Sequence, residues 1–290
     1  MILNLMKRNI QIFFRDKMNV FFALLASLIM FVLYTIFLGE MQVENLHETL
    51  PGVSDELARN FVNAWVFAGI LTITTITTGL AALQVFVSDQ ASGRFKDFAV
   101  APISKAKIIA AYLASTVVIS LSLTAFMLLI SQIYIVATGG NWIGAENLAV
   151  VCVYLILSCI TFSALSSFVA TFIKTESAFS SFSVIIGTAA GFVAGVYVPI
   201  GALPAVVANV INSLPFSQIA SLIREPFTQH AASEIMRGDS KAIASFNESF
   251  GMVVEINGKL VSSNLIILIA LGITIIFTWF AIKRISRKLT

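Results

Sequence analysis

Apolar residues fill most of this chain in blocks of roughly 20, separated by short polar segments. The blocks cover about 20–38, 62–87, 108–137, 148–172, 178–198 and 263–282. A helix needs about 20 apolar residues to cross the hydrocarbon of a bilayer. The pattern therefore predicts an all-α, polytopic membrane protein with six transmembrane helices, folded as one unit over 1–290. The third block is long enough to tilt or to project from the bilayer. A further apolar stretch, about 200–223, follows Pro199 and carries Pro204, Pro215, Asn209 and Asn212. Prolines and amides at this density break a plain span. They predict a pair of short re-entrant helices in the outer leaflet before the last span, where protein or water must cover the freed backbone.

The polar segments have patterns of their own. Over 1–19, Asn4, Arg8, Gln11 and Arg15 fall on one stripe with Lys7 beside it, and Leu3, Met6, Ile10, Phe13 and Phe14 fall opposite. That is an interfacial amphipathic helix, serving either as an anchor for the first span or as a gasket that also touches a soluble partner. The segment 40–60 is acidic with a Pro51-Gly52 turn, and 225–262 is the longest polar region. Within the latter, 255–261 reads as a hairpin with its turn at Asn257-Gly258.

Composition and charge fix the orientation. The chain is 58% hydrophobic and 11% charged, about half the charge of a soluble domain. With both termini placed in the cytosol, 13 of the 18 Lys and Arg residues lie inside and 11 of the 15 acids outside, as the positive-inside rule requires. A net charge of +3 gives no footprint for nucleic acid. The first apolar block lacks a small-residue cleavage site and is expected to remain as a span in the cell membrane. Cys152 and Cys159 share one span and read as packing residues.

The spans carry no Asp, Glu, Lys, Arg or His in their interiors, which argues against proton relays and intramembrane catalysis. The chain has neither an H-E-x-x-H zinc motif nor a phosphate-binding G-x-x-x-x-G-K-[ST] loop, so catalytic, metal and cofactor sites are not expected on it. Hydroxyls are frequent. The second span holds Thr72, Thr74, Thr75, Thr77 and Thr78. These either bond to their own backbone or, for Thr74 and Thr78 in particular, line a substrate path. Gly187, Gly191 and Gly195 recur at four-residue spacing on the fifth span. Such a face admits a close helix neighbour, within the subunit or across a dimer.

The segment 88–107, SDQASGRFKDFAVAPISKAK, is the charged insert between the second and third spans. Asp89 stands where the second span emerges, Gly93 permits a turn, and Phe95 and Phe98 are apolar anchors. Arg94, Lys96 and Asp97 are free to meet water or a protein groove, and Pro102 ends any helix before Ser104. By these residues alone it is either an interfacial loop or a docking segment.

The run from Asp89 to Ser104 resembles the acidic–Gly–Lys–Pro-Ile-Ser segment of the export-class, type-2 ABC transporter permeases. The order of the remaining parts is similar too, including Tyr197-Val-Pro-Ile-Gly-Ala-Leu-Pro204, Leu214-Pro-Phe216 and Leu222-Ile-Arg224 before the last span. A departure is Gln90, where many members carry a charge. The resemblance implies a permease subunit of an ATP-driven exporter. Asp89, Gly93, Arg94, Phe95, Lys96, Asp97, Phe98 and Pro102 would form its coupling helix, with Phe95 and Phe98 as anchors in an ATP-binding cassette subunit. ATP and Mg would be held by that partner, and a second permease copy, identical or a sister, would complete the path. Spans without buried charge suit amphipathic or lipid-like cargo. The alternatives are a membrane-embedded lipid-modifying enzyme, with Glu225 and His230 as its interfacial groups, and a non-transporting sensor or immunity subunit.

Overall fold

The computed structural model describes residues 2–50, 52–95, 104–236 and 246–288. Lys96, Asp97, Phe98 and Pro102 lie outside them. Among the described residues the main helices are α1 Ile2–Arg15, α2 Lys17–Leu33, α3 Gly39–Thr49, α4 Asp55–Ala91, α5 Lys105–Ala137, α6 Ala145–Ala170, α7 Glu176–Val193, α8 Ala205–Asn212, α9 Pro215–Met236 and α10 Ser263–Lys288. Among the described residues, six helical spans are long and apolar enough to cross a membrane, so the all-α polytopic reading holds.

The chain enters through α1, which buries Asn9 and Phe13. Asp16 breaks it and caps α2 by accepting from the Asn19 amide at 3.0 Å. The first span is longer than its apolar block: α2 runs through a π-helical turn, Tyr34–Leu38, into α3, giving one helical path Lys17–Thr49. The acidic stretch after Leu38 reads as loop by composition but is helical, because Gln42, Val43 and Leu46 form a buried stripe beside Glu40, Glu44 and Glu48. Arg59 pairs with Glu40 across the return.

The centre of the bundle is α4. Ser54 caps it, and its 37 residues extend about 55 Å at 1.5 Å per residue, past the hydrocarbon at both ends. It is surrounded by α2, α5, α6, α7 and α9. Its hydroxyls join it to its neighbours. Thr74 Oγ1 meets Ser27 Oγ at 2.8 Å, Thr75 meets Ser158 at 2.7 Å, and Thr78 meets Ser120 at 2.8 Å. Each also bonds to backbone of its own helix. Small polar side chains allow close helix approach in lipid and replace the missing hydrophobic force there.

The predicted broken segment is present. Pro199 precedes a 3₁₀ turn at Ile200–Ala202, Pro204 precedes α8, and Pro215 opens α9. Each proline starts a helix, where its missing N–H costs nothing. The bend between α8 and α9 is 86°, the geometry of a re-entrant hairpin or a broken span. The expected hairpin is β1 Val254–Ile256 paired antiparallel with β2 Lys259–Val261. Asn257 and Gly258 both have positive φ, 52° and 77°, as a tight primed turn demands. Asn212 Nδ2 donates to the Glu255 carbonyl at 2.9 Å, and Asn209 Oδ1 accepts from the Asn257 amide at 2.8 Å. The two amides that break the apolar run thus hold the hairpin.

Candidate functional site

The last turn of α4 ends in a buried carboxylate. Asp89 is 1% exposed, a position for an acid that requires partners. Arg8 of α1 supplies a fork, with Nη1 to Oδ2 at 2.5 Å and Nη2 to Oδ1 at 2.9 Å. Tyr112 of α5 donates its hydroxyl to Oδ2 at 2.5 Å, and Arg94 donates to Oδ1 at 3.2 Å. Beside them, Asn9 Nδ2 donates to Ser115 Oγ at 3.2 Å. Two parallel N–H bonds from one guanidinium give orientation as well as energy. Hydrogen bonding to Asp89 raises the pKa of the Arg8 guanidinium above its ordinary value, so Arg8 is held as a cation. One side chain therefore ties the amphipathic helix, the central helix, the third span and the start of the charged insert.

Gly93 ends α4 in a left-handed conformation, φ 79°. Its amide bonds back to the Gln90 carbonyl, and that of Ser92 bonds to Ser88. Beyond this turn Phe95 points inward. Phe95 is 8% exposed. It stacks on the Tyr112 ring with centroids 5.7 Å apart and meets Phe86 edge-on at 5.3 Å. Phe95, expected as a docking anchor, sits in this structure in the aromatic wedge between α4 and α5. Arg94 keeps more than half of its side chain in solvent.

Sequence reasoning missed Arg8, Asn9, Tyr112 and Ser115 as members of the site. The polar stripe of α1 was a signal for Arg8, and a lone acid in the last turn of an apolar helix was a signal that some cation must meet it.

The other candidate residues fall elsewhere. Thr74 and Thr78 are fully buried between helices. A Cβ on Gly191 would strike the Tyr197 ring, and one on Gly195, whose φ is 63°, would meet Ile200 at 2.7 Å. Gly187 faces Thr77 of α4 at 3.7 Å. The glycine face therefore packs within the subunit. Glu225 and His230 are both exposed on α9, five positions and about 140° apart around the helix, so they do not converge on a common point.

A second buried charge stands at the opposite end of α4. Arg224, counted from sequence among the solvated outer bases, is 0% exposed. Its Nη2 donates to the carbonyls of Ala194 and Gly195, each at 2.8 Å, at the C-terminus of α7, where a helix dipole favours a cation. Its guanidinium lies 4.8 Å from the Trp65 ring, and Trp65 Nε1 donates to the Phe250 carbonyl at 2.7 Å. Arg224 pins the broken segment to both α7 and α4.

Residues 2–227 match the ABC-2 type transporter family. The chain belongs to that family. It is a multi-pass membrane permease of an ABC transporter, and the matched region runs from α1 through the Asp89 cluster to the first half of α9. No curated protein sequence matches the chain.

Proposed function

We propose that this ABC-2 permease is the membrane subunit of an ATP-driven exporter for amphipathic or lipid-like molecules. It works as a pair of copies, or with a sister, in the cell membrane with both termini in the cytosol. A separate ATP-binding cassette subunit, holding ATP and Mg, docks on the face that carries α1 and the 88–107 insert. The observation that carries this reading is the Asp89 cluster. A rigid four-way joint at the root of the insert lets a push on that insert reach α1, α4 and α5 together. Coupling needs a two-state element that the motor's nucleotide state biases, and a joint of this kind moves as a body. Arg94 is the described residue of the insert best placed to meet the motor, and Phe95 sets the angle at which the insert leaves the membrane. The lack of charge within the spans favours cargo with an apolar body.

The test is reconstitution in proteoliposomes with the cognate ATPase, following an amphipathic fluorescent cargo. The reading expects ATP-dependent movement of the cargo with both chains present and no ATP hydrolysis by this chain alone. Robust lipid turnover by the isolated chain, or stable ATPase binding without nucleotide-dependent transport, contradicts it.

A further inference from the structure

The bases at the Asp89 end of the bundle are of two kinds. Tyr112 of the Asp89 cluster and Ile285 of α10 line one small cavity, so the last turns of α10 stand beside that cluster. Arg8 and Arg94 bond to Asp89, and Lys105 Nζ donates to the Ser286 carbonyl at 3.3 Å. Lys174, Lys283 and Arg284 are different. They are exposed, and their side chains form no ion pair or hydrogen bond among the described residues.

Two of these bases are held by rings. Arg284 lies over Phe172, just beyond α6, at 3.7 Å from the ring centroid. Lys283 lies over Trp279, one turn back on α10, at 4.6 Å. A ring face positions a cation through its quadrupole and takes none of its N–H donors, of which a guanidinium has five and an ammonium three. Lys174 stands two positions beyond Phe172. The acid nearest to it in sequence, Glu176, pairs with none of the three.

Below these bases the surface is apolar. Leu268, Ile275 and Trp279 are exposed and recur at seven and four positions, which puts them on one stripe of α10 with Lys283 four positions further on. Since α10 is one of the six spans, an exposed apolar stripe on it meets acyl chains, and Trp279 stands where an interfacial aromatic belongs. Charge bias at a membrane surface and the C-terminal dipole of α10 each call for bases here. Neither calls for ring-held cations at the head of an apolar stripe. That arrangement fits a lipid, with phosphate above and chain below. Three bases without an acid favour a headgroup of net negative charge, because the ammonium of a zwitterionic headgroup would be repelled.

We propose that the seam between the C-terminal ends of α6 and α10 binds one anionic phospholipid. Its phosphate accepts from Arg284, Lys174 and Lys283, and one acyl chain lies along the stripe from Trp279 to Leu268. The proposal rests on the membrane fold and not on the cargo or the direction of transport.

The experiment uses the full chain carrying Trp142→Phe in phosphatidylcholine nanodiscs. Trp65 is sealed in the core, so quenching by lipids with brominated acyl chains then reports on Trp279. Brominated phosphatidylglycerol or brominated phosphatidylcholine replaces the unlabelled lipid in steps. The expected result is half-maximal quenching at a mole fraction of phosphatidylglycerol at least tenfold below that of phosphatidylcholine. Lys174→Gln and Arg284→Gln are each expected to weaken this preference about fivefold. Arg284→Lys is expected to keep most of it, and Lys259→Gln, on the remote hairpin, to leave it unchanged. Equal quenching by the two lipids, or a preference unmoved by Lys174→Gln and Arg284→Gln, overturns the proposal. An equal loss in Lys259→Gln makes the preference a bulk charge effect and also overturns it. Displacement of the brominated lipid by excess inorganic phosphate assigns the bases to free phosphate instead. Absence of a preference, with Arg284→Gln weakening capture of the ATPase, assigns them to a protein partner, and either result contradicts the lipid site.

Discussion

Arg8 and Asp89, separated by 81 positions, meet through two hydrogen bonds at the foot of the central helix. The two ends of this contact are unequal. Asp89 is sealed at 1% exposure, while Arg8 keeps 31% of its side chain in solvent. Arg8→Ala strands a buried carboxylate, whereas Asp89→Asn removes the charge and leaves an isosteric hydrogen-bonding group. Losing one partner of a fully buried pair costs about 3–5 kcal/mol. Solvent access at Arg8 reduces this to about 2–3 kcal/mol for Arg8→Ala, with a smaller loss for Asp89→Asn. The double variant is expected to be more stable than the sum of the two losses, with a coupling of about 1–2 kcal/mol. Thermal unfolding in detergent measures all three variants.

Phe95 gives a separate test, because burial and docking predict different losses. Truncating a buried Phe costs about 3–5 kcal/mol. Phe95→Ala is therefore expected to lower the melting temperature of the isolated chain, and Phe95→Leu to lower it by less. An outward-facing anchor would leave the melting temperature unchanged and weaken only partner binding.

The three glycines of the α7 stripe should respond unequally. Gly187→Ala meets only ordinary contact with Thr77 and is expected to be near neutral. Gly191→Ala collides with the Tyr197 ring and Gly195→Ala with Ile200, the latter also at positive φ. Each is expected to cost more than about 1 kcal/mol. An equal loss of dimerisation in all three, with monomer stability intact, would instead place the stripe between copies.

The segment 246–262, which carries the β-hairpin, offers a pH signature. Glu248 has its pKa raised above the ordinary carboxylate value by hydrogen bonding to Glu255 and by that residue's charge. A raised acid binds its proton more tightly folded than unfolded. This segment is thus favoured at low pH and loses that advantage as pH rises from the unfolded pKa through the folded one. Glu248 is exposed, so the effect is small and weakens with salt. Hydrogen exchange of 246–262 is expected to slow on mild acidification, and Glu248→Gln is expected to remove that dependence.

Much of this architecture could be read from residue order. Blocks of apolar residues of bilayer length became spans, each proline of the broken segment became the start of a helix, and Asn257-Gly258 became the hairpin turn. The misread parts have physical causes. The acidic composition of 40–49 hides a helix, because three glutamates at four-residue spacing mask the buried stripe of Gln42, Val43 and Leu46. Charge bias treats every base as facing water, and only tertiary structure brings the α7 carbonyls and Trp65 around Arg224. The partnership of Arg8, Tyr112 and Asp89 joins three distant segments, and no local period encodes such a meeting. A phenylalanine among charges reads as exposed, and only the tertiary structure shows Phe95 packed between Phe86 and Tyr112.

The central claim is that the Asp89 joint carries motion between a docked ATPase and the spans. The most direct measurement is the ratio of cargo moved to ATP hydrolysed in proteoliposomes containing this chain and its ATPase. The variants to compare are Arg8→Asp, Asp89→Arg and the two combined. The account predicts that each single variant still binds the ATPase but loses at least tenfold in the ratio, and that the charge-swapped pair recovers a measurable part of it. An unchanged ratio in the single variants, with the complex assembled and folded, would contradict the account.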